Sequence, residues 1–280
     1  MKMSSLIDET VEKLKIERIY VCYQKLYKPI YEHLISEQCK SRIEILQVDD
    51  MEYTELKEHL NVLNEQDLLI LIMPFYVSGT DSEIMHNLLI NLEKKGVYFI
   101  NISAGVEGIK FTNKAQKLYN KLLFEILEHN SARKINENIK RCSNRLIVGK
   151  KFRIIDEYGS NIEFIVESVL IENIPLTPKQ RVIQIPYGEV FIVPSQGSVN
   201  GVFVHKIKEK TSVYQIKKDF VDLKELYYQG HFPICEIGFG MNELVPDIDA
   251  LPYLEKRNNT YHLGTVSYTH LRAHETRSNL

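Results

Sequence analysis

Hydrophobic positions in the first half of the chain alternate between two periods. ERIYVCY (17–23), RIEILQV (42–48), DLLILIMP (67–74) and VYFINIS (97–103) are short apolar or alternating runs rich in β-formers, and each predicts a strand. Between the first two, Tyr27, Ile30, Tyr31, Leu34 and Ile35 recur at helical spacing and predict a helix over 27–38. Residues 52–63 and 81–95 also carry helical patterns, with Thr80 or Asp81 as the candidate cap of the latter. A longer helical pattern fills 112–142, with a break near Asn130. DLLILIMP is apolar throughout and stops at Pro74, as expected of a central strand covered on both faces. This alternation predicts an α/β domain over 1–145: an open, mostly parallel sheet with flanking helices, Rossmann- or flavodoxin-like.

The texture changes near Arg145. KFRIID (151–156) and NIEFIVE (161–167) alternate apolar and polar residues around Tyr158-Gly159-Ser160, which predicts a hairpin. EVFIVP (189–194) and GVFVHKI (201–207) predict further strands, with Asn200-Gly201 as a tight-turn dipeptide between them. Residues 146–264 therefore read as a second, β-rich α+β region, which the family resemblance and the tail described below imply is incomplete. No internal repeat or low-complexity stretch appears.

Composition narrows the class. A chain of 280 residues with 44% hydrophobic and 26% charged residues has room for one large or two ordinary domains. A net charge of -2 gives no reason to expect nucleic acid or an acidic membrane as partner. Cys22, Cys39, Cys142 and Cys235 are far apart and form no CxxC pair, so they read as free thiols in a reducing, cytoplasmic setting. The amphipathic start MKMSSLIDETVEKLK lacks the apolar run of a signal peptide, and DLLILIMPF is too short to span a bilayer.

Three segments carry candidate chemistry. Glu189 follows a Pro-x-Gly turn and opens the apolar strand EVFIVP; it is either a solvated strand-end residue or a half-desolvated carboxylate. Glu236 stands between apolar residues in ICEIGFGMN, before Gly238 and Gly240, which permit close backbone approach; this is either a turn with an edge carboxylate or a site. GFGMN lacks the GxGxxG spacing of a nucleotide fingerprint. His262 in NNTYHLG is either a plain histidine or a ligand. Together the three offer oxygen and nitrogen donors suited to a divalent cation.

Those segments resemble one family in order. GKKFRIIDEYGSNIEFIVE is similar to a stretch reading roughly G-x-x-x-R-I-T-D-x-x-G-T-D-L-T-F in the aminopeptidase T and S family of metallo-aminopeptidases. IPYGEVFIVPSQGSVNGVFV resembles its I-P-x-G-E-V-x-x-A-P-x-x-x-S-V-N-G, CEIGFGMN its A-E-L-G-I-G-x-N, and EKRNNTYHLG its D-E-K-x-x-G-T-x-H-x-A-L-G. The matches cover roughly 145–264, and the first half agrees only in α/β texture. The resemblance implies a two-metal exopeptidase with zinc, cobalt or manganese, acting on a peptide or other small-molecule substrate, and a homodimer. It places Glu189, Glu236 and His262 on metal-ligand positions, with Glu236 as the bridging carboxylate. It leaves the general base unassigned. Asn259 replaces the first glycine of the last motif, and the family's later Tyr and His-x-Asp ligands have no counterpart after Gly264.

The last residues bear on that gap. VSYTHLRAHET (266–276) sets His270 and His274 at helical zinc-site spacing, beside Glu275. One reverse translation resembles the mosaic-end and adapter DNA used in transposase-based library preparation, and Arg277–Leu280 fit a short index in the same frame. We therefore expect 265–280 to be an adapter-derived artefact, with Thr265 at the seam, and the gene to be interrupted, leaving a fragment that binds metal weakly and has little activity. Two other readings stand beside the peptidase. One is a ring-cleaving dioxygenase of the same fold family with a single non-haem iron. The other is a non-enzymatic α/β binding protein, with ligands near Pro74–Gly79 or Ser103–Gly108.

Overall fold

The computed structural model describes residues 3–49, 51–75, 80–106, 121, 123–125, 129–172, 176–178, 180–207, 210–224, 229–245 and 254–265. The strands in chain order are β1 (Arg18–Tyr23), β2 (Ile43–Gln47), β3 (Asp67–Phe75), β4 (Tyr98–Val106), β5 (Lys151–Ile155), β6 (Asn161–Ile171) and β7 (Val182–Ile185). They continue with β8 (Glu189–Pro194), β9 (Asn200–Ile207), β10 (Lys210–Lys217), β11 (Phe220–Lys224), β12 (Gln229–Gly240) and β13 (Tyr261–Thr265). The helices are α1 (Met3–Leu14), α2 (Lys28–Leu34), α3 (Tyr53–Leu60), α4 (Thr80–Lys94) and α5 (His129–Ser143). Among the described residues no helix is long and apolar enough to cross a membrane. The chain forms two compact units. One draws on residues 1–137, 172–188 and 242–257, the other on 138–171, 189–241 and from 258 onward.

The first unit contains a five-stranded sheet in the order β2-β1-β3-β4-β7, with every pair parallel. Alternate side chains cover its two faces. Tyr20, Cys22, Leu69, Leu71 and Phe99 pack with Leu56 and Leu60 of α3 and Leu88 and Leu92 of α4. The intervening Ile19, Val21, Leu68, Ile70 and Ile100 are buried as well. Full burial of such side chains is worth roughly 1.5–3 kcal/mol each, so this sheet carries much of the unit's stability. At one end of the β1–β3 pair the Arg18 guanidinium donates two 3.0 Å bonds to the buried Asp67 carboxylate.

Two expectations change here. The sheet is wholly parallel, and its fifth strand, β7, comes from far downstream rather than from the first half of the chain. The helix expected over 27–38 is confined to Lys28–Leu34, because Ile35 turns extended. The Ser36 hydroxyl and Cys39 thiol then donate to Asp8 of α1, tying the chain down outside the helix.

The second unit is a six-stranded antiparallel barrel, where the sequence suggested a β-rich α+β region. The ring runs β11-β10-β9-β6-β8-β12 and closes through β11–β12 pairing, while β5 pairs with β6 and β13 with β12. Closure removes the open edges of those six strands. The alternation in β6 turns Ile162, Phe164 and Val166 into a core shared with Ile192, Ile216, Val221 and Ile237. The hairpin expected around Tyr158–Ser160 joins β5 to β6.

The Asn200-Gly201 dipeptide makes no turn. Both residues lie inside β9, and β8 and β9 are each neighbours of β6 instead of each other. Gly201 is needed for a different reason. Its φ is +134°, and a Cβ there would stand 2.0 Å from the Asn161 carbonyl oxygen across the β6–β9 ladder.

Candidate metal centre

Three neighbouring strands of the barrel unit build the candidate site. In the ladders, Gly240 of β12 pairs with Glu189 of β8, Gly238 with Phe191, Gly238 with His262 of β13, and Glu236 with Gly264. Side chains alternate along a strand, so Glu189, Glu236 and His262 share one face. The opposite face sends Ile192's neighbour Ile237, together with Phe239, Tyr261 and Leu263, into or against the core. The same period of two thus drives the strands into the barrel wall and projects the polar set away from its core.

The three side chains converge. His262 Nε2 lies 3.2 Å from Glu189 Oε1 and 3.3 Å from Glu236 Oε1. One donor atom from each residue falls within 4.8 Å of the others. Glu189 is 6% exposed, whereas Glu236 and His262 are half-buried, so the cluster is walled on one side and open on the other. Two carboxylates brought this close, one of them desolvated, repel each other unless a positive charge sits between them. A protonated imidazole or a cation supplies that charge.

Gly238 shapes the cluster. A Cβ at this position would stand 2.1 Å from His262 Cε1 and 2.2 Å from Glu189 Oε1. Only a residue without a side chain lets donors from the flanking strands close over β12. Gly264 is tight rather than closed: a Cβ there would lie 3.0 Å from the Glu236 Cβ, so Glu236 would have to give by a fraction of an ångström. The glycine-floored cradle and the oxygen–oxygen–nitrogen donor set fit a divalent cation.

A neighbouring network fixes β13. Tyr261 precedes His262, and its hydroxyl donates to Asp156 Oδ2 at 2.5 Å. Asp156 Oδ1 accepts from the Tyr158 and Ser160 amides at 2.9 Å, tying the β5–β6 hairpin to the strand that carries His262. Burial pushes the Asp156 carboxyl up, but the Tyr261 and Ser160 hydrogen bonds outweigh it and hold it below the ordinary carboxylate range. Burial, then the Asp156 bond, raise the Tyr261 phenol far above its usual value, so it stays a donor.

All three residues singled out in the sequence meet at this site. Glu236, read from sequence as either a turn with an edge carboxylate or a site, lies with both glycines inside β12, just after a register shift at Ile234. Reasoning from sequence missed Gly264 and the Asp156–Tyr261 bond. Reading YHLGT as a strand would have placed 264 on the face of 262. His270 and His274 lie outside the described residues, as do residues 76–79 and 107–108 of the two candidate binding loops.

Glu189, Glu236 and His262 form a group on the antiparallel barrel whose donors could hold a divalent cation. No protein-family model and no curated protein matches the chain. Among solved structures, wild-type AmpT from Thermus thermophilus is similar over 85% of this chain and 77% of that one, at 11% identity and a TM-score of 0.48.

Proposed function

We propose that this protein is a metal-dependent hydrolase that removes N-terminal residues from peptides. The observation that carries the reading is the meeting of Glu189, Glu236 and His262 within 4.8 Å, because the same three residues occupy the ligand positions of the metallo-aminopeptidase motifs that the sequence resembles. They would hold the cation; zinc, cobalt or manganese suits them. A cation bound there supplies a Lewis acid and lowers the pKa of water. The half-buried Glu236 and His262 line the open side, where a substrate amine or carbonyl has access, while the buried Glu189 anchors the cradle.

The donor set favours hydrolysis over ring-cleaving oxygenation. Non-haem iron oxygenases of the facial-triad kind use two imidazoles and one carboxylate, and the ratio here is reversed. One group of this kind occurs among the described residues. A second ion would need more donors than it offers, so slow turnover is expected. The resemblance also underlies our proposal of a homodimer.

The test compares a tripeptide bearing a free α-amine with its N-acetylated form, each incubated with the chain and zinc, cobalt or manganese. Metal-dependent release of the first residue from the free peptide alone, lost in Glu236→Gln, is expected. Equal cleavage of both peptides, or iron-dependent oxygen uptake without cleavage, overturns the reading.

A further inference from the structure

The barrel unit has a second concavity, on the side of β12 and β13 away from the metal cradle. It is a cavity of about 560 Å³ lined by the end of α5, by β5, and by the adjoining ends of β12 and β13. Its apolar part is aromatic: Phe152, Phe164 and Phe239 line it, with Leu146 beside them. Its charged part has one sign among the described residues, where Arg141, Arg145 and Arg153 line it and no carboxylate does.

These arginines are available. Arg141 donates to Asn138 Oδ1 at 3.1 Å, and Arg153 to Asn161 Oδ1 at 2.7 Å, both neutral acceptors. Glu163, which feels Arg153, is ion-paired with Lys151. The Arg145 side chain makes no hydrogen bond or ion pair among the described residues. Cations near the end of a helix are favoured by its dipole, which accounts for Arg141 and Arg145 in part. The dipole explains neither Arg153, on a strand, nor the aromatic cavity beneath all three.

We propose that this cavity binds a small amphipathic anion, an aromatic body carrying a carboxylate. The ring would lie against Phe152 and Phe239, and the carboxylate would take the guanidinium donors at the rim. Arginine forks match a carboxylate with two parallel bonds, and such charge-assisted bonds are about twice as strong as neutral ones. Phe239 and Tyr261 flank Gly238 and His262 in sequence, so the ligand would rest on the back of the strands that carry the metal cradle. The site does not depend on the peptidase reading.

The test is calorimetry on chain stripped of metal by dialysis and returned to chelator-free buffer, which removes any contribution from the cradle. 3-Phenylpropionate is expected to bind, and phenethylamine, with a similar body and the opposite charge, is not. Arg141→Gln with Arg145→Gln is expected to weaken binding roughly tenfold or more. Cys142 also lines the cavity, so 3-phenylpropionate is expected to slow its alkylation by iodoacetamide. The cysteine measurement uses the native chain and holds even if the double variant does not fold. The proposal is overturned if 3-phenylpropionate gives neither heat nor protection up to about 10 mM. Equal binding of the amine, or undiminished binding by a folded double variant, overturns it as well.

Discussion

Gly238 lies directly across the β12–β13 ladder from His262, with room for no side chain: a Cβ at 238 would stand 2.1 Å from His262 Cε1. The same Cβ would also stand 2.2 Å from Glu189 Oε1, so one methyl group pushes two of the three donors apart. Gly238→Ala is therefore expected to weaken divalent-metal binding by about tenfold or more, within the range seen when supporting residues of metal sites are changed. The far-UV circular dichroism should stay that of the parent. Calorimetric titration with zinc reads the effect; unchanged affinity would show that the cradle does not hold the ion.

The Asp156–Tyr261 bond makes a pH-dependent contribution whose sign is determined. The folded Asp156 carboxyl is held below its usual value, so its stabilisation is complete above the unfolded carboxylate pKa of about 3.9 and disappears as pH falls through the folded value. The Tyr261 phenol is raised, so its contribution is complete below about pH 10 and is lost only in strong alkali. Tyr261→Phe should cost about 1 kcal/mol at neutral pH, in line with a hydrogen bond to a charged group that is partly solvated. In urea unfolding, the gap between variant and parent should close once Asp156 is protonated. A gap that persists undiminished in acid would mean that the hydroxyl acts otherwise.

Gly201→Ala tests the barrel seam rather than the site. The backbone at φ +134° disfavours any side chain, and the Asn161 carbonyl occupies the place of the Cβ. A loss of about 3 kcal/mol or more is expected, because the obstacle is backbone that cannot swing aside. Chemical denaturation measures it, and a loss under about 1 kcal/mol would contradict the β6–β9 register.

The cysteines should differ sharply in reactivity. Burial pushes the Cys22 thiol up to about 12 and the Cys39 thiol up to about 11, and both are almost wholly enclosed. Cys142 is half-buried; burial raises it too, with Arg145 and Arg141 opposing. Because the thiolate is the reacting species, alkylation followed by mass spectrometry should modify Cys142 first and Cys22 only on unfolding. Modification of Cys22 in the native protein at the rate of Cys142 would contradict the packing of β1.

Much of the parallel sheet was legible in the sequence because its signals are local. DLLILIMP carries its own burial in an apolar run, VYFINIS in one broken only by Asn101, and the helices between them carry a period of their own. VIQI gave no such signal. It is four residues long, and it becomes strand β7 only through pairing with β4, laid down far earlier in the chain. The cradle was legible in part. Glu189, Glu236 and His262 have no spacing that marks them as a set, and their convergence comes from ladder registers between distant segments. Their local surroundings marked each as a candidate, and the likeness of motifs in order joined them into a set. That Gly238 and Gly264 lie against donors of neighbouring strands follows from that register, which no single strand reveals.

The most direct test of the central claim is cobalt(II) binding followed by visible absorption. Glu189, Glu236 and His262 are expected to give the parent chain one equivalent of bound cobalt with ligand-field bands, lost in His262→Ala and in Glu189→Gln paired with Glu236→Gln. A parent chain that binds no cobalt, or variants that remain folded and bind it equally well, would show that these three residues are an ion-paired cluster and not a metal centre.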